Sequence, residues 1–105
     1  VLVSEETFGP IRSVMRYSSI DEVVQRVNNT QYGLGNSVWG KDLERAAAVA
    51  ARLESGTVWV NAHFALAPNV PFAGSKQSGL GAEFGMEGVH EFTDCHVIHI
   101  SRAQL

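Results

Sequence analysis

Hydrophobic positions along this chain change period several times, and each change marks an element. Residues 11–17 alternate, with Ile11, Ser13, Met15 and Tyr17 on one side and Arg12, Val14 and Arg16 on the other. That period of two predicts a strand. Ser19-Ile20-Asp21-Glu22 follows and reads as a capping box, in which Ser19 caps a helix and Glu22 reaches back from the third helical position. Ile20, Val23, Val24 and Val27 then recur at i, i+3, i+4 and i+7, one apolar helix face. Asn28-Asn29 and Tyr32-Gly33-Leu34-Gly35 end it. A short strand is predicted around residues 36–39, then a second helix opened by Asp42. Leu43, Ala46, Ala47, Ala50 and Leu53 are its expected buried stripe, small enough to pack close to a sheet. Gly56 stands where a left-handed C-cap is expected, and β-rich residues 57–61 predict a third strand.

Strand, helix, strand, helix, strand at this spacing implies an α/β fold with two right-handed crossovers on a largely parallel sheet. Residues 62–81 carry no period, and a loop of that length in a compact domain is usually functional or disordered. A third helix is expected over 82–92, although Gly85 and Gly88 weaken it by about 1 kcal/mol each. Residues 95–100 alternate again, as an edge strand would. There is no internal repeat, low-complexity tract or linker.

Composition narrows the partners. With 105 residues, 45% hydrophobic and 18% charged, the chain has ordinary globular composition and room for one compact domain. A chain this short buries a smaller share of its surface than a full enzyme domain, so missing neighbouring chain is felt. A net charge of −3 without clustered Lys and Arg argues against nucleic acid and anionic membranes. No apolar run approaches the roughly 20 residues of a spanning helix, and no basic n-region opens the chain. The single cysteine excludes an internal disulfide and fits a reducing, cytoplasmic setting. Asn28-Asn29-Thr30 matches a glycosylation sequon, read here as accidental without a secretion signal. Val1-Leu2-Val3, apolar from the first residue and without an initiator Met, is what a cut through a longer chain is expected to leave.

Candidate chemistry is sparse. Glu5-Glu6-Thr7-Phe8-Gly9-Pro10, read alone, is a solvated acidic pair, a core phenylalanine and a turn. Gly79-Leu80-Gly81-Ala82-Glu83-Phe84-Gly85 has the first two glycines of a dinucleotide fingerprint. It has Phe84 at the third position and follows a loop rather than a strand, so it is not a phosphate cradle. Cys95 has no identifiable activating base and reads as an inert small hydrophobe. Cys95 and His99 share a strand face but lie about 13 Å apart, at roughly 3.3 Å per residue, while His96 points the other way. Bonds of about 2.0–2.3 Å cannot close on one ion from there, so no metal site is expected. His63, after Asn61-Ala62, opens the long loop and reads alone as a packed or exposed histidine.

Two stretches, Glu5-Glu6-Thr7-Phe8-Gly9-Pro10 and Pro71-Phe72-Ala73-Gly74-Ser75-Lys76-Gln77-Ser78-Gly79-Leu80-Gly81, resemble C-terminal signatures of the NAD(P)-dependent aldehyde dehydrogenases. The likeness extends through Gly56-Thr57-Val58-Trp59-Val60-Asn61 to the closing Glu91-Phe92-Thr93-Asp94. It departs at Ala73 and Ala82, where the family pattern commonly has Gly and Arg. The resemblance implies that residues 1–93 are the distal part of the α/β catalytic domain and residues 94–105 an oligomerisation strand and tail. It implies that Glu6 binds the nicotinamide ribose hydroxyls and that Phe8 packs beside the nicotinamide of NAD or NADP. It places His63 and Leu66 along the aldehyde tunnel, with residues 71–81 as a substrate-side loop and residues 79–85 as a turn into the last helix. The family's nucleophilic cysteine lies upstream of the Glu5-Glu6 motif, so Cys95 is not it, and no catalytic residue is expected in this chain. The whole enzyme would oxidise an aldehyde to a carboxylic acid through a cysteine thiohemiacetal, hydride transfer to NAD(P)+ and thioester hydrolysis, as a homo-oligomer joined through its last strand. The chain alone is expected to be inactive. Two other readings remain open: a non-catalytic assembly module that kept the fold, and a reductive relative acting on acyl thioesters.

Overall fold

The computed structural model describes residues 3–102. Their order is α1 (Ile20–Asn28), β1 (Tyr32–Gly33), β2 (Gly35–Val38), α2 (Leu43–Ala50), β3 (Thr57–Val60), β4 (Phe72–Ala73), β5 (Ser75–Lys76), β6 (Ala82–Glu83) and α3 (Gly85–His90). β2 and β3 pair in parallel, Gly35 opposite Thr57 and Ser37 opposite Trp59, with α2 as the crossover. β1 pairs antiparallel with β5, and β4 with β6. One parallel pair with one crossover therefore stands where two crossovers on a continuous sheet were expected.

Both long helices start as the sequence dictates. Ser19 Oγ accepts the Glu22 amide at 3.1 Å, and Asp42 Oδ1 accepts the Arg45 amide at 3.0 Å. The return half of the capping box moves by one residue. The Glu22 carboxylate takes the Ser18 amide at 2.9 Å and the Ser18 hydroxyl at 2.6 Å. These Ser18 bonds, foremost the one from the side chain, and then the charge of Arg26 hold the Glu22 carboxyl below its ordinary range. Arg26 also pairs with Glu22 and donates to the Arg16 carbonyl at 3.0 Å.

α2 lies against both β2 and β3. α1 and α2 face one another across an apolar cavity of about 420 Å³, lined by Ile20, Val23, Val24 and Val27 from one helix and Ala46 and Val49 from the other. Leu53 reaches the same cavity, whereas Leu43 is 62% exposed and Ala47 faces solvent. The stripe thus runs through Ala46, Val49 and Leu53 rather than starting at Leu43. Val24 and Ala46 are the buried hydrophobic side chains among the described residues. The radius of gyration is 19.9 Å, against about 13 Å for a compact domain of this length. These residues do not close a core of their own.

Four further expectations are corrected. Residues 11–17 join no ladder, and Ile11, Val14, Met15 and Tyr17 are all exposed. Alternation shapes two faces, but a strand also needs a neighbour for its amides. Residues 95–100 likewise join no ladder among the described residues, and Val97, Ile98 and Ile100 are exposed, so the expected edge strand finds no partner there. Helix α3 begins at Gly85 because Ala82 and Glu83 are held in β6 opposite Ala73 and Phe72. Gly56 is no left-handed cap: α2 ends on Ala51, and Gly56 gives its amide to the Gly33 carbonyl at 3.0 Å. Its role is room. A β-carbon there would stand 1.7 Å from the Ala73 carbonyl oxygen.

Candidate cofactor and substrate site

The loop expected to bind cofactor precedes α1. Glu5, Glu6, Phe8 and Arg12 line a shallow cleft made by residues 5–13. Phe8 is 94% exposed with φ +42°, a conformation costly for a bulky residue and a pointer toward function. Its ring is left uncovered among the described residues.

Glu5, Glu6 and Arg12 also line a second cleft of about 620 Å³, whose other walls include Thr30, Gly33, Asn36, Gln77 and Ser78. The turn around β5 builds it. Gly33 donates its amide to Ser78 Oγ at 2.8 Å and accepts from Ser75 Oγ at 3.1 Å, while the Gln77 amide donates to the Gln31 carbonyl at 2.8 Å. Lys76 anchors the turn from φ +55°. Its ammonium donates to the Asn28 carbonyl at 2.7 Å and pairs with Glu54 at 2.8 Å. A cation at the last carbonyls of α1 suits the helix dipole. Asn28 ties in the same corner: its side chain donates to the Arg52 carbonyl at 2.8 Å and accepts the Glu54 amide at 2.9 Å. The expected substrate-side loop therefore divides. Gln77 and Ser78 stand with Glu6, and only its Phe72 end reaches the other half of the site.

That other half forms where β3 ends. Gly35 leaves space for the Trp59 indole, since a β-carbon on it would lie 2.7 Å from Trp59 Cζ3. Asn61 turns the chain at φ +52°, and Phe64 does so at φ +55°. Trp59 Nε1 donates to the Ala65 carbonyl at 2.9 Å and draws the loop back over its own ring. His63 meets the indole edge-on at 5.6 Å, Phe64 lies 6.2 Å and Phe72 6.3 Å from it, and Phe64 and Phe72 are T-shaped at 6.0 Å. Ser37 Oγ meets His63 Nδ1 at 2.6 Å.

His63 thus sits in an aromatic cluster, and Leu66 is 39% exposed just beyond the anchored Ala65. Neither lines the two clefts that Glu6 lines, so this chain does not bring the predicted cofactor and substrate residues together. Phe64 and Phe72 fall inside the segments 63–66 and 71–81 that the resemblance placed on the substrate side, whereas Trp59 and Ser37 were not singled out by sequence reasoning. The usable signal was Trp59 on a strand followed by an Asn and a Phe that take left-handed turns. Cys95 is exposed, and no His, Cys, Asp and Glu group able to hold a metal occurs among the described residues.

Comparisons with known proteins cover nearly all of the chain. The profile described as "Aldehyde dehydrogenase family" matches residues 1–98. The chain belongs to the aldehyde dehydrogenase family. It is 46% identical over 103 residues to "Aldehyde dehydrogenase, cytosolic 1" of Rattus norvegicus, covering 98% of this chain and 21% of that protein. Against "Aldehyde dehydrogenase, cytosolic 2" of Macroscelides proboscideus it is 46% identical over 97 residues, 92% of this chain and 40% of that one. Apo betaine aldehyde dehydrogenase (G234S) of Staphylococcus aureus superposes with a TM-score of 0.87 at 38% identity, over 98% of this chain and 21% of that chain. Betaine aldehyde dehydrogenase of the same organism in complex with NAD+ gives 0.82 at 40% identity, over 85% and 18%. The chain thus spans about a fifth of the length of the first of these relatives. Ala73 and Ala82, the two positions at which the resemblance was expected to depart, are register partners in the β4–β6 pair.

Proposed function

We propose that the whole protein carrying this chain is a cytoplasmic, NAD(P)+-dependent aldehyde dehydrogenase that oxidises an aldehyde to a carboxylic acid. The observation that carries the proposal is the meeting of Glu6 with Gln77 and Ser78 in one cleft, which joins two motifs far apart in sequence. The donor set fits a nicotinamide riboside. A carboxylate accepts two hydroxyl hydrogen bonds, and the uncovered Phe8 ring offers a flat apolar face. Glu6 and Phe8 would hold that end of NAD(P)+, most of which is bound by residues outside this chain. When bound, the cofactor accepts a hydride.

The roles of this chain's own residues are to bind and to aim. Glu6 fixes the ribose and Phe8 limits the tilt of the ring, which preserves the geometry of attack. His63, with the rings around it, and Leu66 border the aldehyde's path. The covalent step belongs to a cysteine outside this chain, which forms the thiohemiacetal and then the thioester that water cleaves. Residues 1–93 complete the catalytic domain. Residues 94–105 form a terminal segment whose stretch 95–100, exposed and unpaired here, adds as a strand to a second copy, main chain to main chain.

Full-length protein incubated with NAD+, NADP+ and a panel of aldehydes, followed by absorbance of reduced cofactor, tests the proposal. Aldehyde-dependent reduction is expected. The 105-residue chain alone is expected to give none, and turnover by it that Cys95→Ala abolishes would overturn the division of labour.

A further inference from the structure

Ser37 and His63 make a contact that the cofactor and aldehyde roles do not use. Ser37 sits in β2 directly across from Trp59, so it lies beside the aromatic cluster. Its hydroxyl meets His63 Nδ1 at 2.6 Å, the one hydrogen bond to this ring among the described residues. That distance is below the usual N–H···O range and within the range for an O–H donor. Either atom can donate, according to the tautomer of His63; the pairing considered is the one in which the freely rotating serine hydroxyl donates and Nδ1 accepts. In a neutral imidazole the other nitrogen then carries the proton. Nδ1 and Nε2 project from opposite sides of the ring, so with Nδ1 turned to β2 the Nε2–H is turned away from the sheet. His63 is exposed, and the indole edge-on at 5.6 Å restrains its ring.

We infer that Ser37 and His63 act as a specificity pair: Ser37 fixes the tautomer and tilt of His63, whose Nε2–H selects aldehydes with an apolar or aromatic body and a hydrogen-bond acceptor remote from the carbonyl. Trp59, Phe64 and Phe72 receive the apolar body. Ser37 is a positioning residue that acts through His63. The inference rests on the reading that the loop after β3 borders the aldehyde's path.

The test uses the full-length protein and two substrates of nearly equal shape, 3-(4-methoxyphenyl)propanal and 3-(4-ethylphenyl)propanal. The two methylenes insulate the carbonyl from the substituent. Wild type is expected to favour the methoxy compound about two- to tenfold in kcat/KM, the worth of one hydrogen bond, with the difference in KM. Ser37→Ala and His63→Phe bring the ratio toward one, and Ser37→Thr, which keeps the hydroxyl, restores it. A wild-type ratio of one overturns the pair without any variant, as does a ratio that Ser37→Ala leaves unchanged. Oxidation of neither compound while other aldehydes are turned over also overturns the pair, whereas no turnover of any aldehyde overturns the function on which it rests.

Discussion

Asn61 closes on Gly40 with both ends of its amide: Oδ1 accepts the Gly40 N–H at 2.8 Å and Nδ2 donates to the Gly40 carbonyl at 2.7 Å. The residue after β3 is thereby fastened to the residues after β2, and its left-handed φ of +52° launches the loop that carries His63 and Phe64. Asn tolerates that conformation better than most side chains. Asn61→Ala in the full-length protein is expected to lose about 1–3 kcal/mol from the two hydrogen bonds and the backbone strain. Asn61→Gly keeps the backbone freedom and should lose less. Denaturant unfolding of both variants checks the order, and equal losses would show that the conformation of Asn61 is of no consequence.

Gly56 and Gly40 make a second comparison. A β-carbon at Gly56 would collide with the Ala73 backbone at 1.7 Å, whereas one at Gly40 meets only ordinary contacts from 3.7 Å. Gly56→Ala should cost about 1–3 kcal/mol or more, as overpacking against rigid atoms does. Gly40→Ala should be nearly neutral. Thermal unfolding of the two variants side by side reads the difference, and similar midpoints would contradict the close approach of the β2–β3 and β4–β6 pairs.

The cap of α1 makes a pH-dependent contribution. Because the folded Glu22 carboxyl is held below its ordinary value of 4.5, chiefly by Ser18, the stability it adds is fully present above that value. It is lost as pH falls from there through the depressed folded value. Glu22→Gln should therefore unfold at a lower temperature than wild type near neutral pH, and the gap should close as the pH drops below 4.5. A gap constant with pH would mean that the carboxylate charge does not support the cap.

These variants also show what the sequence could and could not reveal. Ser19 and Asp42 announced their helices because a cap is local, contained within a few residues. Glu22 closes chiefly on Ser18, whose hydroxyl and amide both donate to its carboxylate, an outcome that the pattern of a capping box does not encode. Gly56 was misjudged for a different reason: its neighbour, Ala73, is remote in sequence, and spacing after a helix says nothing of it. The cluster of Trp59, His63, Phe64 and Phe72 and the anchoring of Lys76 on α1 are also products of distant chain meeting. Residues 11–17 and 95–100 have the alternation of strands and no ladder, since pairing depends on an edge that the alternation cannot supply. The roles expected of Glu6, Phe8, His63 and Leu66 came from resemblance, and the residue pattern alone reads Glu6 as a solvated carboxylate.

The exposed stretch 95–100 gives a prediction about assembly. Ile98 is 74% exposed here, and an unpaired apolar strand edge is a template for another chain. Ile98→Lys in the full-length protein should shift it toward smaller species, because the charge would enter a covered contact unpaired. Sedimentation at matched concentration, with circular dichroism to verify the fold, measures the shift. A folded variant with the oligomer distribution of wild type would place this stretch outside any subunit contact.

If Glu6 aims the cofactor, single-turnover kinetics of Glu6→Gln in the full-length protein register the change at the hydride step. The amide keeps the shape but replaces a charge-assisted hydrogen bond by a neutral one, a loss of about 1.5–3 kcal/mol. The rate of cofactor reduction is predicted to fall about ten- to a hundredfold, with aldehyde binding little affected. Unchanged cofactor reduction together with unchanged cofactor affinity would contradict the account and leave Glu6 a surface carboxylate.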